Sequence, residues 1–479
     1  MSEKPRRGVT VRDSLGEAII PDGKYYGIST QRAIDNFPIT NYQLHEKLIK
    51  ALAMVKKAAA CANREELEKK SPGVCDYIVS ACDAVIAGYY HEHFVVDPIQ
   101  GGAGTSLNMN ANEVIANIAL EKMDLPKHLD DVISPYDHVN MSQSTNDVIP
   151  TAARICIRKL LDELLLTMER LCEIFRKKAV EFDNIVKTGR THLQDAVPIR
   201  LGQEFDAYSR VIQRDIERIK NTGKYLYEVN LGATAVGTSL NANINYAKNV
   251  IGHLKAITGF EDLRPCESLV DGTQNTDCFT EVSAALKICA INMSKIANDL
   301  RLMASGPTCG LSEITLRELQ HGSSIMPGKN NPVLPELVNQ VAFQVIGNDL
   351  TISMASEAGQ FELNVMQPVL VFNLIQSVSM MNNAFDVFGE RCVNEIMISK
   401  RNKNRIDRYV RESPYLATAL TPYIGYKRAG DIALKALEEE RAVLDICLQD
   451  EYVIRKTGGE EKLKEILDPL RMTRVGENL

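Results

Sequence analysis

Residues 151–187, TAARICIRKLLDELLLTMERLCEIFRKKAVEFDNIVK, form a long stretch without glycine or proline. Apolar side chains recur in it at alternating spacings of four and three residues, the pattern of a helix that buries one narrow stripe. These positions are Ile157, Leu161, Leu164, Met168, Leu171 and Phe175. Pro150 precedes the stretch, and a proline is well tolerated in the first turn of a helix. The pattern predicts one very long helix with Pro150 in its first turn.

The same rhythm returns in residues 273–305, which also lack glycine and proline. Its apolar positions are Leu286, Cys289, Met293, Ile296, Leu300 and Met303. Six such positions span about 27 Å of helix, so each helix needs an equally long partner. Residues 203–222 and 335–357 predict two more helices. We expect an all-α, mainly helical fold in which the narrow stripes pack between subunits as a multi-helix bundle.

The length of 479 residues favours about three domains. Residues 1–145 contain shorter helical runs that are interrupted by Pro135 and by a glycine-rich turn at 101–104. After residue 400 the sequence becomes rich in charge. We therefore expect an N-terminal mainly helical domain over 1–145, a central long-helix domain over 146–400 and a small helical domain over 401–479.

Composition narrows the classes of function. The net charge is −7, and no basic block is present, which argues against a nucleic-acid partner. The eleven cysteines are odd in number and fit neither a disulfide framework nor a zinc ribbon. No run approaches eighteen apolar residues, and no apolar segment follows the first residues, MSEKPRR. We expect a soluble, cytoplasmic protein with no membrane partner.

The segment 322–331, GSSIMPGKNN, carries hydroxyls, carboxamides and a lysine on a stretch whose glycines and proline prevent a regular helix. His321 is the only histidine near Ser323 in sequence, so backbone amides and Lys329 would have to activate this serine. A surface turn is the alternative. The spacing does not fit a phosphate-binding loop, and the glycines at 101–104 lack the third glycine of a dinucleotide fingerprint, so neither ATP nor NAD is indicated.

Three further polar stretches interrupt the helical sequence: GGAGTSLN at 101–108, SQSTND at 142–147 and TGRTHLQD at 188–195. The second precedes the long helix, where free backbone amides and the helix dipole favour an anion. A carboxylate could bind there. Ordinary helix capping by Ser144, Thr145 or Asn146 is the alternative.

Together these segments resemble the aspartase/fumarase superfamily over most of the chain, from Tyr25 to Pro368. The family signature is Gly-Ser-Ser, two residues, Pro, one residue, Lys, one residue, Asn, and residues 322–331 match every fixed position. Within the superfamily the segments are most similar to aspartate ammonia-lyases. Fumarases usually carry a second serine at the position of Thr145 and a glycine at that of Ala233.

The resemblance implies three mainly helical domains, a homotetramer with a central bundle, and active sites that three subunits share. It implies a carbon–nitrogen lyase that converts L-aspartate reversibly to fumarate and ammonia, by anti elimination through an enediolate intermediate, with no cofactor. Two alternatives remain open: a fumarate hydratase that forms L-malate, and a catalytically silent structural oligomer.

The resemblance also assigns substrate-binding residues. Those expected at the β-carboxylate are Thr105, Ser144, Thr145 and the backbone amide of Ser324. Those expected at the α-carboxylate are Thr191, Lys329 and Asn331. A hydrophobic residue is more usual at position 330, where this chain has Asn330.

The resemblance implies that Ser323 is the base that removes a proton. Asn146 and His192 would contact the amino group, and Glu336 would orient His192. Taken alone, His192 could instead be a structural histidine, and Glu336 a carboxylate favoured by the dipole of the first helical turn. The sequence His91-Glu92-His93 lacks the spacing of a metalloprotease helix, so we expect a solvated turn there and no metal.

Overall fold

The computed structural model describes residues 8–474, and its architecture is mainly helical, as predicted. The helices are α1 (Ile28–Asn36), α2 (Glu46–Ala62), α3 (Arg64–Lys70), α4 (Val74–Ile86), α5 (Thr105–Lys122), α6 (Thr145–Glu181), α7 (Leu201–Thr222), α8 (Ile244–Thr258), α9 (Leu269–Gln274), α10 (Asp277–Met303), α11 (Val333–Glu357), α12 (Gln367–Arg391), α13 (Lys400–Glu412), α14 (Thr421–Ile424), α15 (Tyr426–Glu438), α16 (Val443–Cys447), α17 (Glu451–Thr457), α18 (Glu460–Ile466) and α19 (Pro469–Met472). Short 3₁₀ segments cover His91–His93, Gly223–Tyr227, Val393–Glu395 and Pro414–Leu420, and one π-helical turn covers Pro135–Val139.

The strands are few and short, and each pairs with one partner. They are β1 (Gly8–Asp13), β2 (Gly16–Pro21), β3 (Val186–Thr191), β4 (Gln194–Arg200), β5 (Glu228–Val229) and β6 (Arg264–Pro265). β1 pairs with β2 and β3 with β4 in antiparallel hairpins, while β5 and β6 are parallel.

The long helix α6 begins five residues before Pro150, so the proline lies in its second turn and the predicted first-turn position was wrong. Ser144 caps the helix: its carbonyl accepts from the Val148 amide at 3.1 Å. The carboxylate of Asp147 accepts from the Ser144 backbone amide at 2.9 Å. A serine followed three residues later by an acid is a common signal for a helix start, and here it marks the start of α6 before Pro150.

Pro150 lies inside α6, where it cannot donate to the carbonyl of Asn146. The side-chain amide of Asn230 donates to that carbonyl instead, at 3.0 Å. The freed backbone acceptor is therefore satisfied, and the helix continues without a break.

The apolar stripes of α6 and α10 are buried within a single chain, so the expectation that they pack between subunits was wrong. Every one of the twelve positions is at most 4% exposed. Other helices of the same chain cover them, for example through the contact of Phe175 with Phe205 and Phe388. An interface between subunits has to use other residues.

The chain folds into two compact units. The first contains the described residues up to Leu165 together with 217–288 and 343–381, and in it α2 packs against α4 and α8, and α4 against α5. The second contains 166–216, 289–342 and the described residues from Asn382 onward, and in it α13 packs against β3. The C-terminal helices of the second unit enclose a hydrophobic cluster that includes Leu416, Leu420, Val453 and Leu463. The division into three domains stays a proposal.

None of the helices within residues 8–474 combines the length and the apolar character needed to cross a membrane.

Candidate active site

The first group of candidate residues lies where two helices of the first unit begin. Thr105 is the first residue of α5 and Thr145 the first of α6. The side-chain amide of Asn108, one turn into α5, donates to the Thr145 hydroxyl at 3.3 Å. A Cβ at Gly104, whose φ is +91°, would lie 3.2 Å from the Ile149 side chain. The two N-termini are thus close together, and their free amides and dipoles favour an anion.

The residues that precede and begin α6 also have structural partners. The Ser144 hydroxyl accepts from the Asn146 backbone amide at 3.3 Å, which is a capping contact. The Asn146 side chain donates to the Ala235 carbonyl at 2.8 Å. Ser144, Thr145 and Asn146 are half-buried, so their polar groups remain accessible to a small ligand. The capping alternative is correct for Ser144, and it does not exclude a binding role.

Two buried ionisable side chains near this group, Lys56 and Asp147, were not predicted from the sequence. The Lys56 ammonium group donates to the side-chain oxygens of Asn140 and Gln143, both at 3.0 Å. Asp147 accepts from the backbone amides of Gly232 and Thr234, both at 3.0 Å. Burial lowers the pKa of Lys56 to about 7, and burial raises the pKa of Asp147 to about 6. Their partners lie about eighty residues or more away in sequence, so no local pattern could have identified them.

Lys56 is expected to make stability depend on pH. Its pKa is about 7 in the folded chain and near 10.5 when unfolded, so between these values the unfolded state binds more protons. Stability therefore rises with pH across this window, by up to ~1.4 kcal/mol per pH unit. The Tm of Lys56→Met, measured from pH 7.5 to 9.5, should lack this rise, whereas the wild type and the Lys57→Met control should keep it. Equal slopes in all three proteins would contradict the lowered pKa of Lys56 in the folded chain.

The second group lies in the second unit, and two of its members are at a hairpin tip. Thr191 ends β3, and His192 and Leu193 form the two-residue turn to β4 with φ values of +57° and +59°. Both values suit the tight turn that matches the twist of a hairpin. Thr191 and His192 are exposed to solvent in the single chain.

The loop at 322–331 is closed by its own backbone and carboxamides. The Gly322 amide donates to the Lys329 carbonyl at 3.0 Å, and the Asn331 side chain donates to the Gly322 carbonyl at 2.6 Å. A Cβ at Gly322 would lie only 2.2 Å from the Lys329 carbonyl oxygen, so the loop requires glycine there. The Asn330 side-chain amide donates to the Leu316 carbonyl at 2.9 Å. The polar side chain at this position is therefore satisfied by a hydrogen bond to the backbone.

Ser323 has backbone amides around its hydroxyl, one of the two kinds of partner expected for it, while its role as a base stays a prediction. Its hydroxyl oxygen accepts from the backbone amides of Ile325, at 3.2 Å, and Met326, at 3.0 Å. Two amide donors on one oxygen favour its deprotonated form, because they stabilise negative charge there. The side chain is half-buried, and the neighbouring Ser324 is exposed.

Lys329 and Glu336 are the charged candidates of this group. The Lys329 side chain is exposed and has no hydrogen bond or ion pair with any described residue. Glu336 lies in the first turn of α11, as predicted. Within one chain and among residues 8–474, no hydrogen bond joins Glu336 to His192, so its orienting role stays a prediction.

The candidate residues are thus divided between the two units. The first unit contains Thr105, Ser144, Thr145 and Asn146. The second contains Thr191, His192, Ser323, Ser324, Lys329, Asn331 and Glu336.

The segment from His91 to His93 is a 3₁₀ turn in which His93 is 7% exposed. The expectation of a solvated turn was therefore wrong for His93, whose ring packs against Tyr25. The part of the chain that the structure describes contains no group of three or more His, Cys, Asp or Glu side chains placed to hold a metal ion.

Comparison with known proteins identifies the family. A family model described as lyase matches residues 16–347, and one described as fumarase C C-terminus matches residues 416–474. The chain belongs to this lyase family, which confirms the predicted membership of the aspartase/fumarase superfamily.

Three relatives show how far the similarity extends. An aspartate ammonia-lyase from Bacillus subtilis (strain 168) is 57% identical, over 97% of this chain and 96% of its own length. The crystal structure of a fumarate lyase:delta crystallin from Brucella melitensis has a TM-score of 0.91 and 47% identity, over 98% of this chain and all of that one. A class II fumarase from Schistosoma mansoni has a TM-score of 0.89 and 33% identity, over 98% of this chain and 99% of that one.

Proposed function

We propose that this protein is an aspartate ammonia-lyase, a carbon–nitrogen lyase that interconverts L-aspartate with fumarate and ammonia. The observation that carries this function is the 57% identity to an aspartate ammonia-lyase over nearly the whole of both chains. The loop at 322–331 agrees with it, because Ser323 accepts from two backbone amides and Lys329 has no described partner. The function therefore has support both from similarity and from local geometry.

The reaction removes a weakly acidic proton from the carbon next to the β-carboxylate. In our proposal the deprotonated Ser323 oxygen, stabilised by the amides of Ile325 and Met326, takes this proton and becomes a hydroxyl. The electron pair of the broken C–H bond moves into the β-carboxylate and forms an enediolate. Its collapse breaks the C–N bond, and ammonia leaves.

The group at the starts of α5 and α6 would hold the β-carboxylate. Thr105, Ser144 and Thr145 offer hydroxyls there, together with helix dipoles that favour the charge of the enediolate. The backbone amide of Ser324 would complete this subsite. These neutral donors stabilise the transition state where its charge develops, which is the requirement for accelerating the chemical step.

The α-carboxylate would be bound by Thr191, Lys329 and Asn331. The Asn331 carboxamide uses one N–H for the Gly322 carbonyl and retains a second for a ligand. Asn146 and His192 would contact the ammonium group of aspartate, with Glu336 orienting His192. Because an ammonium leaves as neutral ammonia, His192 mainly has to accept a hydrogen bond rather than supply a proton.

We further propose that the protein is a homotetramer in which three subunits share each active site. An exposed apolar stripe on α11 supports an interface: Phe343, Ile346, Leu350 and Met354 follow each other at helical spacing. Phe343, Leu350 and Met354 are each 63–65% exposed in the single chain. Such a contiguous apolar face normally marks a contact with another protein. Cytoplasmic location also stays a proposal, supported by the eleven cysteines, all of which are free thiols.

One spectrophotometric experiment tests the function. The purified protein should form fumarate from L-aspartate and consume fumarate when ammonia is added, with little fumarate formed from L-malate. Comparable turnover of malate would favour a fumarate hydratase, the activity named for the Schistosoma mansoni relative. No turnover of either substrate would favour the silent structural oligomer.

A further inference from the structure

Glu313 is a fully buried carboxylate that the proposed mechanism does not use. It follows α10 and precedes the loop at 322–331, and it has no solvent exposure. One carboxylate oxygen lies 2.8 Å from the Lys187 ammonium group, and the other accepts from the Arg190 guanidinium at 2.8 Å. Both cations belong to β3, the strand that ends at Thr191. A buried carboxylate is stable only with such partners, so the three charges hold one another in place.

The hairpin is irregular directly before Arg190. In a regular strand, residues three apart, such as Lys187 and Arg190, point to opposite faces. The pairing of β3 with β4 shifts between Thr188 and Arg190, where Gly189 lies opposite two residues of β4, so a β-bulge on β4 interrupts the regular ladder there. Gly189 makes the bulge feasible, because a Cβ there would lie 2.7 Å from the Val197 carbonyl oxygen.

Glu313 is itself held by the backbone around it. Its amide donates to the Met303 carbonyl at 2.8 Å, at the end of α10. Two residues later, Thr315 exchanges backbone hydrogen bonds with Met397 at 2.9 and 3.1 Å. The next carbonyl, that of Leu316, accepts from Asn330 at 2.9 Å. The segment that carries Glu313 is therefore fixed to the rest of the second unit and to the loop of Ser323.

We propose that Glu313 is a positioning residue whose buried carboxylate fixes the hairpin β3–β4, and with it Thr191 and His192, relative to the segment that holds the Ser323 loop. This inference rests on the proposed function, because it takes Thr191 and His192 as substrate-binding residues. The hairpin tip is exposed, with Leu193 73% accessible, so its position depends on contacts lower in the strands. Arg190 is the ionic contact nearest the tip, since it directly precedes Thr191.

The test compares Glu313→Gln with a matched control, Glu204→Gln. Glu204 on α7 binds the same Lys187 through both carboxylate oxygens at 3.1 Å, but it forms no ion pair with Arg190 among the described residues. In Glu313→Gln the side-chain oxygen can accept from one cation, but the NH2 group faces the other cation. The hairpin therefore loses one of its two ionic contacts with residue 313.

Glu313→Gln should raise KM for L-aspartate at least ~10-fold and change kcat less than ~3-fold, because ground-state binding by Thr191 and His192 is lost. Glu204→Gln should keep KM within about twofold of the wild type even if its Tm falls equally. Glu313→Asp, which retains the charge, should recover part of the affinity. Equal increases in KM for the two glutamine variants would overturn the proposal, because they would indicate a general loss of structure.

A second measurement does not depend on activity. Amide hydrogen exchange of a peptide covering residues 188–195 should be at least ~10-fold faster in Glu313→Gln and unchanged in Glu204→Gln. If Glu313→Gln does not fold, Arg190→Met breaks the same ion pair while Lys187 still compensates Glu313, and it should show the same changes. Unchanged exchange in these variants would overturn the proposal. An inactive wild type with the expected exchange pattern would refute the proposed function alone.

Discussion

Replacing Ser323 with alanine is expected to lower kcat for the deamination of L-aspartate by at least ~100-fold, the scale on which loss of a single transition-state group is felt. The alanine has no oxygen to receive the proton, and the amides of Ile325 and Met326 lose the atom to which they donate. The measurement is the initial rate of fumarate formation at saturating aspartate.

The control for Ser323→Ala is binding of succinate, a dicarboxylate that cannot react. Its affinity should remain similar to that of the wild type, because the groups assigned to the two carboxylates are retained. Near-normal turnover would mean that another group is the base. If sites are shared between subunits, mixed oligomers of Ser323→Ala and Thr191→Ala subunits should recover part of the activity, and verified mixtures without recovery would argue against sharing.

The helical architecture could be predicted because it depends on local spacing. The stripes from Ile157 to Phe175 and from Leu286 to Met303 lie on helices, as expected, and every member is buried. Their burial partner could not be predicted, since an apolar stripe requires a cover without specifying which chain supplies it. The exposed stripe that includes Phe343 and Leu350 lies on another predicted helix, where only the structure shows which face is left uncovered.

The start of helix α6 depends on side-chain capping hydrogen bonds, which outweigh the preference of proline for the first turn of a helix. Pro150 indicated a helix start, but the capping pair of Ser144 and Asp147 determines it, and Asn230 satisfies the carbonyl that the proline leaves free. The sequence Ser-Thr-Asn-Asp at 144–147 contained this capping signal. The hydrogen bond from the Asn230 side chain to the Asn146 carbonyl could not be predicted, because the two residues are more than eighty positions apart in sequence.

Some local geometry of the candidate site could be predicted, where polar groups are concentrated in one short segment. The loop at 322–331 folds on itself around Gly322, and the backbone amides on Ser323 match the expectation for a serine without a histidine. The supporting charges, Lys56, Asp147 and Glu313, were missed. Each is an ordinary charged residue in sequence, and its role arises only from burial and from partners that the fold brings to it.

Replacing Lys329 with methionine is expected to raise KM for L-aspartate by ~100-fold or more, because it removes the only cation assigned to a substrate with two carboxylates. The ammonium group has no partner among the described residues, so its charge is available to a ligand rather than committed to the fold. Methionine keeps most of the side-chain volume, and Tm should therefore change little. The affinity for succinate should fall by a factor similar to the rise in KM, which separates lost binding from lost chemistry. Lys462→Met, on the exposed surface of α18, serves as the matched control and should leave both constants unchanged. An unchanged KM in Lys329→Met would remove this lysine from the carboxylate subsite and leave Thr191 and Asn331 to bind the α-carboxylate without a cation.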